Sequence, residues 1–128
     1  MGGLDVNDLE RELRSLSAEL TSPRARECLV CYLYRMLDFG CRGHAFTERY
    51  RAEAAPRATA LVRRLSRMGA CCCECEVFLN AYQPNPRHVP VDEDGEFVMV
   101  PVPECHGVRR GSAQPCCLWL RITRRRWR

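Results

Sequence analysis

The sequence contains no lysine, so all 20 of its basic residues are arginine. Because arginine codons are rich in G and C, this absence indicates a GC-rich bacterial genome. Long apolar runs are also missing, since no segment approaches the roughly 20 apolar residues that span a bilayer. The polar start, Met1 to Asp5, has neither the basic nor the apolar region of a secretion signal. We therefore expect a soluble cytoplasmic protein that does not enter a membrane.

The motifs of several enzyme classes are absent as well. The chain has no H-E-x-x-H zinc-protease motif, no phosphate-cradling glycine loop and no Ser/His/Asp set. Two of the three histidines, His88 and His106, lie in loops flanked by proline or glycine, where a surface position is expected. His106 nevertheless follows Cys105 directly, which makes it a candidate for a ligand test. An enzymatic function is disfavoured but stays open.

Cysteine, by contrast, is abundant, with ten residues in a chain of 128. Most of them lie in short clusters: Cys28 and Cys31, the run Cys71, Cys72, Cys73 and Cys75, and Cys116 and Cys117, with Cys41 and Cys105 apart. In a reducing cytosol, clustered thiols hold metal ions or do redox work more often than they form structural disulfides. The cysteines therefore predict a metal-binding domain.

The spacing of apolar residues predicts a mainly α-helical fold. An amphipathic helix is expected over 6–20, a second over 24–39 ending at Gly40, a short one over 46–54, and a fourth from Pro56 to Gly69. A short helix is slightly favoured over a strand for 76–82.

Prolines after residue 83 break the helical pattern. A β-hairpin with its turn at Asp94-Gly95 is expected beyond them, followed by a loop-rich, arginine-rich end. We thus predict a small metal-stabilised helical domain over 1–83 with a C-terminal β-hairpin. The loop-rich extension, 84–128, is expected to pack on the same domain.

The strongest ligand pattern combines Cys41-x2-His44 with Cys73-x-Cys75. Residues two apart lie on different sides of a helix, so Cys73 and Cys75 reach one ion only from an extended segment or a turn. Sulfur and nitrogen donors favour tetrahedral Zn²⁺. The pattern therefore predicts one zinc ion with three thiolates and an imidazole.

The segment from Cys28 to Tyr82 resembles the bacterial domain of unknown function 2695. The resemblance rests on Cys41, on Ala55 to Leu61, and above all on Cys73-x-Cys75-Glu76-Val77-x-Leu79-Asn80. The stretch from Cys105 to Cys116 is similar to the C-terminal extension of actinobacterial members. No reaction is established for the family, so the resemblance implies none.

The resemblance does imply a set of ligands. Its seven members are Cys28, Cys31, Cys41, Cys73, Cys75, Cys105 and Cys116. His44 has no counterpart in the family, so the fourth ligand of the first site stays open. A second site formed by Cys28, Cys31, Cys105 and Cys116 is a further expectation, whereas Cys71, Cys72 and Cys117 are not required.

Three functions are compatible with these patterns. A structural zinc domain that acts as an interaction or regulatory module with a protein partner is favoured, because four protein ligands leave no place for a substrate. A nucleic-acid-binding zinc protein is the second, with Arg124, Arg125 and Arg126 contacting phosphates. The third is a thiol redox sensor or a zinc enzyme with an open coordination position, with Glu74 or Glu76 as its general base.

Overall fold

The computed structural model describes residues 5–123 and is mainly helical, as predicted. Its regular elements are α1 (Val6–Leu20), α2 (Leu29–Met36), α3 (Ala45–Ala54), α4 (Leu61–Arg67), β1 (Tyr82–Pro84) and β2 (Trp119–Arg121). None of the helices in this part of the chain is long and apolar enough to cross a membrane. Arg124, Arg125 and Arg126 lie outside the described residues, so nucleic-acid binding through them stays a prediction.

Helix α1 has the predicted bounds, yet none of its residues is buried. Within residues 5–123, its long-range hydrogen bonds are confined to its C-terminal end. Arg49 donates to the Ala18 carbonyl at 2.7 Å and contacts the Thr21 hydroxyl, and Arg35 donates to the Leu20 carbonyl at 3.0 Å. The apolar stripe of α1 is thus left on the surface.

Helix α2 begins at Leu29 and not at residue 24 as predicted. The chain between these points forms a turn, in which the Glu27 N–H donates to the Arg24 carbonyl at 3.1 Å and Arg26 adopts a φ of 63°. Cys28 is the N-cap, and its sulfur accepts the N–H of Cys31 at 3.3 Å. A thiol therefore does the capping that serine or aspartate usually does.

Helix α4 also begins later than predicted, at Leu61 instead of Pro56. Residues 55–60 form successive turns, with the Ala58 N–H donating to the Ala55 carbonyl at 2.9 Å and the Leu61 N–H to the Ala58 carbonyl at 3.1 Å. Helices α2, α3 and α4 enclose the core. Its largest fully buried side chains include Tyr32, Tyr50, Leu29, Leu33, Met36, Leu61 and Leu65.

The chain after the cysteine run is helical, as favoured from the sequence, but the helical part ends earlier. Residues Val77–Ala81 form a π-helical turn, and Tyr82 opens strand β1. This strand pairs antiparallel with β2, with Gln83 opposite Leu120. The pairing joins segments far apart in sequence, so periodicity within either segment could not reveal it.

The predicted reversal at Asp94-Gly95 is present as a minimal hairpin. Val91 and Phe97 form an antiparallel bridge, and the Asp92 N–H donates to the Glu96 carbonyl at 2.8 Å. Gly95 adopts a φ of 82°, which suits a glycine at a tight turn.

The C-terminal extension contacts the helical part at several points. The Val108 N–H donates to the Arg26 carbonyl at 2.9 Å, and the Tyr50 hydroxyl donates to the Ser112 carbonyl at 3.0 Å. These contacts bring Cys105 and Cys116 to the N-terminus of α2, where Cys28 lies.

Candidate metal centres

Four cysteine sulfurs from distant parts of the chain meet at the N-terminus of α2. The Sγ atoms of Cys28, Cys31, Cys105 and Cys116 all lie within 4.8 Å of one another. The sulfurs of Cys31 and Cys116 are 3.7 Å apart. A tetrahedral Zn²⁺ with Zn–S bonds of about 2.3 Å requires S···S distances of about 3.8 Å. We call this group the tetrathiol cluster, and its donors and spacing fit a thiophilic metal ion.

Backbone N–H groups point at two of these sulfurs. The Cys105 sulfur accepts from the Cys28 N–H at 3.2 Å and from the Gly107 N–H at 3.3 Å. The Cys28 sulfur accepts from the Cys31 N–H in the first turn of α2. Donors of this kind stabilise negative charge on sulfur, and the positive end of the helix dipole adds to the effect.

Thiols of the tetrathiol cluster shift one another's pKa values. Hydrogen bonds from the Cys28 and Cys31 thiols lower the pKa of Cys116 far below its usual range. The same hydrogen bond to Cys116 raises the pKa of Cys28 to about 12, and the pKa of Cys31 is raised still further. A cation bound among these sulfurs would replace the protons of the thiols whose pKa is raised.

A second cluster consists of Cys41, Cys73 and Cys75, whose sulfurs also lie within 4.8 Å of one another. Cys73 is extended and precedes the 3-10 turn Glu74–Glu76 that carries Cys75, so both sulfurs reach Cys41 from a turn. Cys41 is exposed. Hydrogen bonds from the Cys73 and Cys75 thiols lower its pKa. We call this group the trithiol cluster.

His44 does not join the trithiol cluster among the described residues. Its Nε2 lies 3.1 Å from the Cys71 carbonyl oxygen. The Nε2–H donates a hydrogen bond to that oxygen, so this nitrogen is engaged away from the cluster. Its Nδ1 is buried and has no hydrogen-bond partner within residues 5–123. Among the described residues, the donors that come together in this cluster are therefore the three sulfurs.

The two glutamates beside Cys75 are engaged by other groups. The Glu74 carboxylate is buried and accepts the Thr47 N–H at 2.5 Å and the Thr47 hydroxyl at 2.7 Å. One oxygen of Glu76 accepts the N–H groups of Cys72 at 2.8 Å and Cys73 at 3.1 Å. Both carboxylates therefore support the turn, and the geometry does not favour either as a general base.

Sequence reasoning missed a third group. Ligand atoms of His88, His106 and Cys117 lie within 4.8 Å of one another on the surface. The signal was the adjacency of Cys105 to His106 and of Cys116 to Cys117, which places a second donor beside each of two predicted ligands. His88 lies far from both in sequence, and nothing local pointed to it.

The sequence model of a family described as "Protein of unknown function (DUF2695)" matches residues 29–80. We use the term DUF2695 domain as a label for the matched residues 29–80. The match confirms the family recognised from the cysteine motif. The matched segment runs from α2 through the π-helical turn and contains the whole trithiol cluster. No curated protein and no solved structure matches the chain.

The tetrathiol cluster extends beyond the DUF2695 domain. Of its members, only Cys31 lies in the matched segment, whereas Cys28 precedes it and Cys105 and Cys116 follow it. An ion in this cluster would therefore connect the domain to the C-terminal extension.

Proposed function

We propose that this protein is a structural zinc-binding module in which one Zn²⁺, held by the tetrathiol cluster, joins the C-terminal extension to the DUF2695 domain. The observation that carries the proposal is the meeting of four sulfurs from both parts of the chain within 4.8 Å. Four thiolates saturate a tetrahedral ion and leave no position for a substrate, which favours a structural role over catalysis.

An ion in the tetrathiol cluster would fasten the C-terminal extension to the helical domain. Apart from buried side chains such as Leu118 and Trp119, the extension is held by short strands and scattered backbone contacts, so little regular structure fixes it in place. Structural zinc in small peptides contributes about 10–16 kcal/mol of binding free energy to folding. We therefore expect that metal removal releases the extension first, while the helical core of α2, α3 and α4 persists longer.

We further propose that the protein binds a partner through helix α1. Its apolar residues follow the alternating spacing of three and four that forms the seam between paired helices. They are Val6, Leu9, Leu13, Leu16 and Leu20, exposed by 46–68%. Acidic side chains at Glu10, Glu12 and Glu19 flank this seam. Like charges would oppose a second copy of α1, so the partner that we propose is an amphipathic helix with basic flanks.

The trithiol cluster supports a second candidate function, a redox-sensitive thiol site. An exposed cysteine with a lowered pKa beside two further thiols has the arrangement of a reactive cysteine with resolving partners. Peroxide would oxidise Cys41 to a sulfenic acid, and Cys73 or Cys75 would displace water to form a disulfide. Mass spectrometry after limited peroxide treatment tests this, with Cys41→Ser as the variant that forms no such disulfide.

Metal analysis of protein purified without chelator tests the structural proposal. We expect tightly bound zinc, with a loss of about one equivalent in Cys116→Ser. Cys72→Ser is a matched control, because Cys72 lies outside the tetrathiol cluster. The substitution also keeps the backbone N–H of residue 72 that donates to the Glu76 carboxylate. Unchanged zinc content in Cys116→Ser would overturn the proposal, as would a wild-type protein without metal.

A further inference from the structure

We propose that His88, His106 and Cys117 form a separate, exchangeable site for a divalent transition-metal ion at the surface, beside the tetrathiol cluster. The three ligand atoms already lie within 4.8 Å of one another. The rings of His88 and His106 meet edge to face, with centroids 5.1 Å apart. Two imidazoles and a thiolate are donors that suit Zn²⁺, Co²⁺ or Ni²⁺, and the group contains no carboxylate that would favour Mg²⁺ or Ca²⁺.

The closest pair in the group is His106 and Cys117. Nδ1 of His106 lies 2.5 Å from Sγ of Cys117, closer than two ligands of one ion would lie. Bonds of about 2.0 Å to nitrogen and 2.3 Å to sulfur at a tetrahedral ion would place these atoms about 3.5 Å apart. Binding therefore requires the side chains to separate by about 1 Å and releases one proton, with no rearrangement of the backbone.

One buried residue holds the two loops of the site together. The Asn85 side chain donates to the Cys117 carbonyl at 3.0 Å, and the Asn85 N–H donates to the Leu118 carbonyl at 2.7 Å. The Asn85 carbonyl in turn accepts the His88 N–H at 2.9 Å. Asn85 thus fixes the turn that carries His88 against the turn that carries Cys117, just before β2, and so supports the exposed ligands from a buried position.

The site is placed by the same loops as the tetrathiol cluster but faces the other way. Cys116 is buried and the adjacent Cys117 is exposed, and Cys105 is likewise more buried than the adjacent His106. Each loop therefore supplies one more buried donor to the tetrathiol cluster and one exposed donor to the surface group. The two sites are therefore neighbours in space with different donors.

The chemistry of the two sites should differ accordingly. Three ligands leave a tetrahedral position for water or for a ligand from a partner, as in zinc sites that exchange or react. With one thiolate, the complex of a divalent ion keeps a charge of +1, whereas four thiolates give −2. We therefore expect an ion at the exposed site to be bound more weakly than one at the tetrathiol cluster and to be removed by mild chelation.

A cobalt titration tests this inference on the full-length protein as purified. We expect added Co²⁺ to produce a sulfur-to-cobalt charge-transfer band, of which about one equivalent belongs to this site. His88→Ala and Cys117→Ser should weaken the binding of that equivalent at least about 100-fold. His44→Ala is the matched control, since His44 lies outside the group, and it should bind as wild type does. Wild-type binding in both His88→Ala and Cys117→Ser would overturn the inference.

The same variants distinguish this inference from the structural zinc proposal. His88, His106 and Cys117 are all exposed, so their substitution should leave the circular dichroism spectrum unchanged. If chelator-resistant zinc is lost in Cys116→Ser while His88→Ala binds cobalt normally, the structural proposal stands and this one fails. The opposite pattern would retain the exposed site and refute the structural proposal.

Discussion

The indole nitrogen of Trp119 lies 3.2 Å from Sγ of Cys31 and donates a hydrogen bond to it. The Trp119 ring also packs against Tyr34 and Phe78, with centroids 5.6 Å and 5.4 Å away. The first residue of β2 therefore connects an aromatic cluster to the tetrathiol cluster. Hydrogen bonds to a ligand sulfur disperse its charge and fix its orientation, which tunes the affinity for metal.

Trp119→Phe should weaken zinc binding while preserving most of the ring packing. Loss of one hydrogen bond to a ligand is expected to reduce metal affinity about 10-fold to 100-fold. Competition with a colorimetric chelator measures this change. Tyr34→Phe is the control, because it keeps a ring against Trp119 and leaves the Cys31 sulfur untouched. Equal zinc affinity in the two variants would show that the indole N–H does not support the cluster.

The affinity of the tetrathiol cluster for metal should rise steeply with pH. The pKa of Cys28 is raised to about 12 by its hydrogen bond to Cys116, and the pKa of Cys31 is also raised. Both thiols therefore keep their protons at neutral pH and must release them to bind an ion. Each released proton contributes about tenfold per pH unit, so zinc affinity should increase roughly 100-fold or more per unit.

Chelator competition at about pH 6, 7 and 8 gives the slope of this dependence. An affinity independent of pH in the wild type would mean that the ligand sulfurs are already deprotonated without metal.

Gly69→Ala should destabilise the fold more than Gly95→Ala. Both glycines have a positive φ, 104° and 82°, so alanine carries a backbone cost of about 1–2 kcal/mol at either position. At Gly69 a Cβ would also lie 2.6 Å from Cβ of Asn80, whereas Gly95 has no atom within 4 Å of that position. Overpacking of this kind costs typically about 1–3 kcal/mol more.

Chemical denaturation of the two variants isolates the steric contribution as their difference in free energy of unfolding. Asn80 also donates to the Gly69 carbonyl at 2.9 Å, so the contact joins the end of α4 to the π-helical turn. Equal destabilisation of the two variants would argue against a close approach at Gly69.

Local patterns predicted local structure well. The bounds of α1 follow from leucines spaced three and four apart, a signal contained within the helix itself. The late starts of α2 and α4 depend on turns that repeat no apolar period, and at α2 on a cysteine that caps the helix through its sulfur. The sequence offers no rule that distinguishes a capping cysteine from a helical one.

The candidate sites also differ in whether local sequence patterns could predict them. Cys73 and Cys75 could be grouped from their spacing, because donors two residues apart reach one ion only from an extended segment or a turn. The group of His88, His106 and Cys117 depends on Asn85 bridging two loops, a contact between segments 32 residues apart. Such long-range contacts are set by tertiary packing, which single-sequence patterns do not contain.

Leu33→Ala should lower the free energy of unfolding much more than Leu13→Ala, because the first lies in the core and the second on the exposed helix α1. Leu33 is completely buried in α2, and its truncation should cost about 2–5 kcal/mol because it leaves a cavity. Leu13 is 58% exposed in α1, so the same substitution should change the free energy of unfolding by less than about 0.5 kcal/mol. Alanine and leucine both favour helices, so helix propensity adds little to either value.

Denaturation at two protein concentrations completes this test, because it reports whether α1 pairs with itself. The acidic residues Glu10, Glu12 and Glu19 beside the leucine seam would repel a second copy, so we expect the stability of the wild type to be independent of concentration. A stability that rises with concentration and falls in Leu13→Ala would identify a second copy of this chain as the partner. It would refute a partner helix with basic flanks.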